Sequence, residues 1–437
     1  MIVGTATMPG IHVRDHEVPV PLDWDRPEDG RRLTLFAREL VDPARRNADL
    51  PLLLFLQGGP GGKGPRPRPG TSWIPRALRT HRVILLDQRG TGRSTPVTAR
   101  TMARLGDGDA GADYLAHFRA DAIVRDAEHL RREVFRVDRW ETLGQSYGGF
   151  LTLTYLSLHP ESLRACYVTG GLAGLHADAD EVYRRTFPRI VAKNRAFRAR
   201  YPDDAARLAA VADRLAAEPV RLPDGDELTV RRLQLLGAGF GMSTGYEDVH
   251  WLLDEAFDPE DGPDGRAELS PAFLAAAMRA TSYDENPLYA VLQEVIYHQG
   301  AVTPGWAAER ERARRPEFAP DARPLLLTGE TMFPWMFEEL RALRPFRAAA
   351  EALAARESWP ALYAPERLAR NEVPVAAAVY HDDMYVDAGL SLETAEAVGN
   401  VHAWVTNEYE HDGLRAGGGA VLDRLMTTVA EHGGGIA

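Results

Sequence analysis

Cysteine is nearly absent from this chain of 437 residues, which contains one, Cys166. A single thiol excludes an intramolecular disulfide framework and any metal site built from several cysteines. Cys166 stands in the largely apolar segment LRACYVTGG, so we interpret it as a thiol buried in the core. Neither disulfide bonds nor cysteine-bound metal ions are therefore expected to stabilise the fold.

Long apolar runs and clustered positive charge are missing as well. The longest apolar stretches, such as LPLLLFL, are far too short to span a bilayer, and the N-terminus has no secretory signal pattern. Lys and Arg number 51 against 63 Asp and Glu, which gives a formal net charge of −12. This balance argues against nucleic acid as a partner, because that affinity comes from clustered Lys and Arg. We therefore expect a cytoplasmic protein that binds neither membranes nor nucleic acids.

The first part of the chain alternates between short apolar runs and amphipathic segments. The runs LPLLLFLQ and HRVILLDQ end in glycine-containing loops, which is typical of strands buried on both faces of a parallel sheet. A later segment carries Ile123, Ala127, Leu130 and Val134 at helical spacing and precedes another strand-like run, RWETLGQS. Alternation of strands and helices predicts an α/β fold with a mostly parallel, doubly wound sheet.

The pattern changes between residues 172 and 370, where it becomes helical and rich in charge. Strand signals return after residue 370 in VPVAAAVYHDD and VHAWVTNEYEHD. A helical stretch between strands of one sheet indicates a cap inserted into a single α/β core. We therefore expect residues 1–171 and 371–437 to form the core and residues 172–370 to form a large helical cap.

A glycine-flanked serine, Ser146, lies in GQSYGG at residues 144–149, between a strand-like run and an amphipathic helical segment. Gly144 and Gly148 stand two residues on either side of it, where side chains would clash in a sharp strand-to-helix turn. Such a turn is the nucleophile elbow of the α/β-hydrolase fold, and it lifts the serine hydroxyl above the sheet edge. The context therefore predicts this fold with Ser146 as the nucleophile; an incidental turn is the alternative.

A glycine-rich loop, QGGPGG at residues 57–62, ends the run LPLLLFL. Such a loop can present backbone N–H groups to the oxyanion of an acyl transfer, together with the N–H of the residue after the nucleophile. We therefore assign the two donors to Gly59 and Tyr147. Without the serine elbow, a plain Gly/Pro turn would be the better interpretation of this loop.

A serine nucleophile needs a histidine base and an orienting acid, and in this fold the chain order is Ser, Asp or Glu, His. His411 follows the last strand-like run, where a loop at the carboxyl edge of the sheet is expected. His402 lies within that run, His432 lies in a glycine-rich tail, and His381 precedes the candidate acids. Position therefore favours His411 as the base.

Three aspartates that follow the run VPVAAAVY compete for the role of the acid: Asp382, Asp383 and Asp387. Asp387 lies far past the predicted strand end, whereas the order of residues alone does not separate Asp382 from Asp383. The member of this pair that is not the acid is expected to cap or turn the chain.

The motifs GGPGG, DQRGTGRS and GQSYGG, followed by an Asp and a His in this order, resemble those of the proline iminopeptidases. The resemblance covers roughly residues 10–170 and 371–415. It implies a capped α/β hydrolase that removes N-terminal proline from peptides, and no metal or organic cofactor is implied. The family commonly takes its acid from a Gly-Arg-Tyr-Asp-Met segment; YHDDM stands there in this chain, which favours Asp383. Gln57 departs from the family, which commonly has histidine at that position.

The resemblance also implies that cap carboxylates bind the cationic amino group of the substrate. The segment LQEVIYHQ resembles the cap helix that supplies one of them, which gives this role to Glu294. Glu330, an acid among apolar and aromatic residues in PLLLTGETMFPW, is a second candidate, because a buried carboxylate needs a partner. A solvated helix edge for Glu294 and a structural arginine partner for Glu330 are the alternatives.

Together these residues predict a serine aminopeptidase that releases N-terminal proline from small peptides or other small molecules through an acyl-enzyme. A capped esterase or amidase for another small acyl substrate is the first alternative, because one triad serves many acyl transfers. A non-catalytic binding protein of the same fold is the second, although such proteins typically lack a triad residue. The oligomeric state and the strictness for proline stay open at this point.

Overall fold

The computed structural model describes residues 1–70, 72–258, 267–302 and 305–434. The strands in these ranges are β1 (Ile2–Met8), β2 (Ile11–Pro21), β3 (Arg32–Val41), β4 (Leu52–Leu56), β5 (Arg82–Asp87), β6 (Trp140–Gln145), β7 (Leu163–Thr169), β8 (Gly300–Ala301), β9 (Ser358–Trp359), β10 (Val375–Tyr380) and β11 (Val401–Thr406). The helices before β10 are α1 (Ile74–Ala77), α2 (Ala99–Leu105), α3 (Gly108–Ala116), α4 (Ala120–His129), α5 (Tyr147–Leu158), α6 (Ala179–Arg200), α7 (Asp204–Ala217), α8 (Val230–Gln234), α9 (Gly245–Asp254), α10 (Pro271–Ala280), α11 (Pro287–Leu292), α12 (Ala307–Ala313), α13 (Met336–Glu339), α14 (Arg347–Ala354) and α15 (Pro365–Leu368). Those after β10 are α16 (Ala388–Ala397), α17 (Gly413–Ala416) and α18 (Ala420–Glu431).

Nine of the described strands form one sheet in the order β1-β2-β3-β5-β4-β6-β7-β10-β11. The pairs β1–β2, β2–β3 and β3–β5 are antiparallel, and every pair from β5–β4 to β10–β11 is parallel. The prediction of a mostly parallel sheet is therefore confirmed. Because β4 lies between β5 and β6, the loops after β4 and β6 flank a crevice at the carboxyl edge, where ligands bind in open α/β sheets.

The central strand β4 shows why the strand-like runs are apolar throughout. All of its residues are buried. Leu52, Leu54 and Leu56 pack on one face of the sheet with α4 and α5, whereas Leu53 and Phe55 pack on the other face with α1 and α18. Since side chains alternate between the faces, a strand that is covered on both faces carries an apolar residue at every position.

Strands β7 and β10 are neighbours in the sheet, with Cys166 opposite Val375, although the chain runs through α6–α15 between them. We call the stretch 172–370 the helical segment and the remainder the sheet part. The predicted boundaries at 171/172 and 370/371 both fall between elements, after β7 and after α15. The division into core and cap along these boundaries stays a prediction. Within the described ranges, no helix combines the length and the apolar character of a membrane crossing.

Cys166 lies on β7 and has 0 % of its surface exposed. The prediction of a buried core thiol is therefore confirmed. Burial disfavours the thiolate and raises the pKa of Cys166 to about 12. Because the thiolate is the reactive form, this side chain is inert at neutral pH.

Candidate active site

Ser146 occupies the turn between β6 and α5 with a φ of 57°. This backbone conformation is uncommon for a residue with a side chain and marks a strained turn. A Cβ on Gly144 would lie 2.3 Å from the carbonyl oxygen of Gly148, and a Cβ on Gly148 would lie 1.9 Å from that of Leu56. Only glycine fits at both positions, so these two residues allow the turn that presents half-buried Ser146 at the carboxyl edge of the sheet.

His411 and Asp383 form a buried hydrogen-bonded pair beyond the ends of β11 and β10. The distance from His411 Nδ1 to Asp383 Oδ2 is 2.6 Å. The other carboxylate oxygen of Asp383 accepts the backbone N–H groups of Tyr385 at 2.8 Å and Val386 at 3.1 Å. Burial alone would lower the pKa of His411, but the charge and hydrogen bond of Asp383 outweigh it and raise that pKa. A carboxylate at Nδ1 fixes the tautomer and leaves Nε2 free to accept a proton.

The competing aspartates have other partners. Asp382 lies at the surface, 2.9 Å from His381 and 3.5 Å from Arg189. Asp387 begins α16, where its carboxylate caps the first turn of the helix. The structure therefore brings to the histidine the aspartate that the family resemblance favours.

The competing histidines lie elsewhere. His402 is the second residue of β11 and so lies at the amino edge of the sheet, opposite the edge that carries Ser146. Its ring stacks on that of His432 with 3.7 Å between the centroids. His381 is exposed beside the carboxylate of Asp382.

Ser146 and His411 both face a cavity of about 380 Å³ between the sheet part and the helical segment. Residues from both parts line it: Gln57, Gly58, Gly59, Gly62, Gln145, Ser146, Ala238, Met242, Asn286, Tyr289, Glu330, Tyr385 and His411. The cavity can hold a small molecule or the end of a peptide. Among the described residues, no three His, Cys, Asp or Glu side chains are grouped so that they could hold a metal ion.

The loop after β4 passes directly beside Ser146. A Cβ on Gly58 would lie 2.9 Å from the Cβ of Ser146, so the backbone approaches the nucleophile as closely as glycine allows. Gly59 has a φ of 131°, which also requires glycine, and the carbonyl oxygen of Gln57 accepts a hydrogen bond of 2.7 Å from Gln88. On the other side of Ser146, Tyr147 is the first residue of α5, whose initial N–H groups have no acceptor within the helix.

Glu330 lies in the wall of the same cavity, on the helical segment. Its Oε1 atom accepts a short hydrogen bond from the hydroxyl of Tyr289. Removal from water raises the pKa of Glu330 to about 7, although hydrogen bonds from Tyr289 and Gln293 and the charge of the nearby His411 act in the opposite direction. A carboxylate in this position gains most from a cationic ligand, which would supply the missing charge.

Glu294 does not line the cavity, in contrast to the expectation from the family resemblance. Its two oxygens accept the backbone N–H groups of Ala307 at 2.9 Å and Ala308 at 3.0 Å, at the start of α12. These first-turn N–H groups lack acceptors within their own helix, so a carboxylate beside them is strongly favoured. Burial nevertheless raises the pKa of Glu294 to about 7, because it outweighs the opposite effect of these two N–H groups. Glu294 is therefore held as a helix cap in this structure and lies outside the cavity that Ser146 and His411 face.

Sequence reasoning missed two tyrosines of the cavity. Tyr289 lies on α11, three residues after Asn286, whose side chain accepts the N–H of Tyr289 at 3.2 Å and caps the helix. The ring of Tyr385 lies edge-on to that of His411 with 4.8 Å between centroids. The position of Tyr385 two residues after Asp383 was a usable signal, because it belongs to the same strand-end loop. Tyr289 gave no comparable signal, since it lies next to an apolar helix stripe.

Comparison with known proteins gives the family. A family model described as alpha/beta hydrolase fold matches residues 51–213. The proline iminopeptidase of Aeromonas sobria is 49 % identical over 418 residues, which cover 95 % of this chain and 96 % of that protein. The proline iminopeptidase aneH of Aspergillus aculeatus is 34 % identical, with 93 % and 91 % covered. A solved hydrolase from Pseudomonas aeruginosa PA01 is 14 % identical, covers 94 % of this chain and 97 % of its own, and has a TM-score of 0.38.

The chain therefore belongs to the proline iminopeptidase family and is a hydrolase with the α/β-hydrolase fold. The family resemblance and the fold predicted from the sequence motifs are both confirmed.

Proposed function

We propose that this protein is a serine aminopeptidase that releases N-terminal proline from small peptides, with Ser146, His411 and Asp383 as its catalytic triad. One observation carries the proposal: a nucleophile, a histidine base and an anionic side chain, Glu330, face one cavity. The proline iminopeptidases that this chain resembles over nearly its whole length support the choice of substrate.

The triad acts on the carbonyl group of the first residue. Asp383 holds the Nδ1–H of His411, so Nε2 takes the proton from the hydroxyl of Ser146 as the oxygen attacks. The pKa of His411 is raised, which helps the imidazole to keep this proton until it passes to the leaving amine. Water then attacks the acyl-enzyme and releases proline, with the same histidine as base.

The backbone N–H groups of Gly59 and Tyr147 are the proposed donors to the tetrahedral oxyanion. Two features support this role, the close approach of the loop after β4 to Ser146 and the absence of a side-chain cap on the first turn of α5 in the described structure. Donors that are fixed before the reaction stabilise the charge that develops in the transition state, by roughly 3–4 kcal/mol each in comparable sites.

Glu330 is the proposed partner of the substrate's ammonium group. The amino nitrogen of a peptide lies only about 2.5 Å from the carbonyl carbon of the same residue, so its binding group has to lie beside the triad. Glu330 satisfies this condition, since its charge and that of His411 influence each other's pKa. A carboxylate at this distance selects a free N-terminus and rejects the interior of a longer chain, which explains an aminopeptidase rather than an endopeptidase.

The test compares three substrates: a prolyl arylamide with a free amine, its N-acetylated form, and a matched aryl ester of a neutral acid. We expect rapid turnover of the free-amine amide, little of the acetylated form, and complete loss in the Ser146→Ala variant. Turnover of the ester without the prolyl amide would replace the aminopeptidase by a capped esterase or amidase. Failure of a fluorophosphonate to label the protein at Ser146 would leave only the non-catalytic alternative.

A further inference from the structure

Helix α6 of the helical segment carries three basic residues four positions apart, on one face of the helix. Each of them pairs with a carboxylate of the sheet part: Arg185 with Glu393 at 2.9 Å, Arg189 with Asp382 at 3.5 Å, and Lys193 with Glu410 at 2.5 Å. Two of these acids directly precede the residues of the Asp–His pair in sequence. The helix thus contacts both of the loops that carry the proposed triad partners.

The pair of Lys193 and Glu410 is the most enclosed of the three. The side chain of Lys193 is 9 % exposed, against 32 % for Arg185 and 34 % for Arg189. Its Nζ atom lies 2.5 Å from one oxygen of Glu410 and 2.6 Å from the other. Burial raises the pKa of Glu410, and Lys193 counteracts the rise. An ammonium that contacts both oxygens at these distances restricts the rotation of the carboxylate.

The two residues that follow Glu410 are tied to the helical segment as well. The backbone N–H of His411 donates to the carbonyl oxygen of Gly241 at 3.0 Å. The carboxylate of Asp412 accepts the N–H and the hydroxyl of Ser243, each at 2.9 Å. Three consecutive residues of the histidine loop therefore bind the helical segment.

We propose that Lys193 is a positioning residue for His411: by holding Glu410, it fixes the loop that orients the imidazole. This inference rests on the proposed role of His411 as the base. The helical segment then has two tasks, since it lines the substrate cavity and also holds part of the catalytic apparatus in place. Catalysis needs this precision, because a misplacement of about 1 Å can cost about 100-fold in rate.

Loss of the ammonium has a predictable consequence. Without Lys193, the carboxylate of Glu410 stays partly buried without a counter-ion, and it gains by turning toward water or by taking up a proton. Either response releases residue 410, which is joined to His411 by one peptide bond. The proposed ammonium site at Glu330 lies on a different stretch of the chain, so we expect this change to leave it in place.

The experiment measures the rate at which a fluorophosphonate labels Ser146, together with kcat and KM for the prolyl arylamide. Labelling needs the histidine base but not the ammonium site. We expect Lys193→Met to slow labelling and kcat by about 10- to 100-fold, with KM within about threefold. Lys193→Arg, which keeps the charge, should restore most of the rate, and the pH dependence of labelling should shift only in the methionine variant.

Glu393→Gln is the matched control, because it removes the charge of a salt bridge between α6 and the sheet part whose acid lies on α16, outside the triad loops. Its labelling rate should equal that of the unmodified protein. If Lys193→Met does not fold, the double variant Lys193→Met with Glu410→Met replaces the ion pair by two apolar side chains, an exchange that proteins often tolerate. The fluorophosphonate should label this double variant slowly as well.

The outcomes separate the two proposals. Normal labelling of a folded Lys193→Met or double variant overturns the positioning role and leaves the triad intact. Equal losses in Lys193→Met and Glu393→Gln would assign the effect to general destabilisation and overturn the positioning role as well. No labelling of the unmodified protein would instead overturn the proposed function itself.

Discussion

The sheet part and the helical segment both contribute to the cavity, but local sequence determines them to different degrees. In the sheet part, the turn at Ser146 is set by two glycines within two residues of it, and the Asp–His pair follows from strand ends. In the helical segment, Glu294 and Glu330 are both acids within largely apolar stretches of sequence, and burial raises the pKa of both to about 7. Their partners differ: Glu294 accepts two backbone N–H groups of a helix, whereas Glu330 accepts hydrogen bonds from the side chains of Tyr289 and Gln293 and faces the cavity.

This difference shows what distinguishes a structural carboxylate from one that is poised for a ligand. The carboxylate of Glu294 accepts the two backbone N–H groups at the start of α12, which compensate its charge when it is ionised. Glu330 accepts hydrogen bonds from two side chains, Tyr289 and Gln293, and among the described residues the charged group that lowers its pKa is His411, whose charge is present only when the imidazole is protonated. The raised pKa is the same for both residues and does not distinguish them. Their hydrogen-bond partners do distinguish them.

The largest loss of activity is expected from a substitution at the carboxyl edge of the sheet. Asp383→Asn should lower kcat by about 10⁴-fold, because the amide leaves His411 in the wrong tautomer. Asp382→Asn is the matched control in the adjacent position, and its surface carboxylate should be dispensable within about threefold. Steady-state kinetics on the prolyl arylamide checks both. Equal losses would show that the geometry around Asp383 is not what sets the rate.

The next effect concerns the two glutamates. Glu330→Gln should lower kcat/KM for the free-amine prolyl arylamide by about 10- to 100-fold, the value of a hydrogen bond to a charged group, and leave the neutral ester nearly unchanged. Glu294→Gln makes the same change outside the cavity and should leave both substrates within about threefold. If Glu294→Gln instead caused the selective loss, the contrast between the two carboxylates would be reversed.

A smaller effect is expected in the pH dependence. Because the pKa of Glu330 is raised to about 7, the carboxylate is protonated below this pH and no longer attracts an ammonium group. The ratio of kcat/KM for the prolyl amide to that for the neutral ester should therefore fall by up to about tenfold per unit below pH 7. Because turnover of both substrates depends on His411 in the same way, its titration cancels in this ratio. In Glu330→Gln the ratio should not change with pH.

The smallest effect is on stability. Glu294→Ala removes the acceptor of two N–H groups at the start of α12 and should lower the free energy of unfolding by about 1–2 kcal/mol. Since the folded state raises the pKa of Glu294, its carboxyl group stabilises the fold most at low pH, and this contribution is lost as the pH rises through 7. Denaturant titrations at pH 5 and pH 8 should thus show a larger difference from the unmodified protein at pH 5. A difference that grows with pH would contradict this account.

Much of the fold and of the proposed triad followed from the sequence for physical reasons. Buried parallel strands such as β4 need continuous apolar runs, and a nucleophile elbow needs glycine at both flanks of Ser146. The choice of Asp383 over Asp382 did not follow from such rules and came from the family resemblance. The helix-capping position of Glu294 could not be predicted, because the N–H groups that bind it lie 13 and 14 residues further along the chain. Helical periodicity describes one helix and carries no information about which other helix begins beside it.

The single inert cysteine makes this protein well suited to optical work. Cysteines introduced at the surface would be the only thiols that react with maleimide dyes, because Cys166 is enclosed and protonated. Two of them, one on the sheet part and one on the helical segment, would carry a dye pair that reports their separation by energy transfer in single molecules. Such measurements would show whether the distance between the helical segment and the sheet part changes during each turnover or stays constant while substrate binds and product leaves.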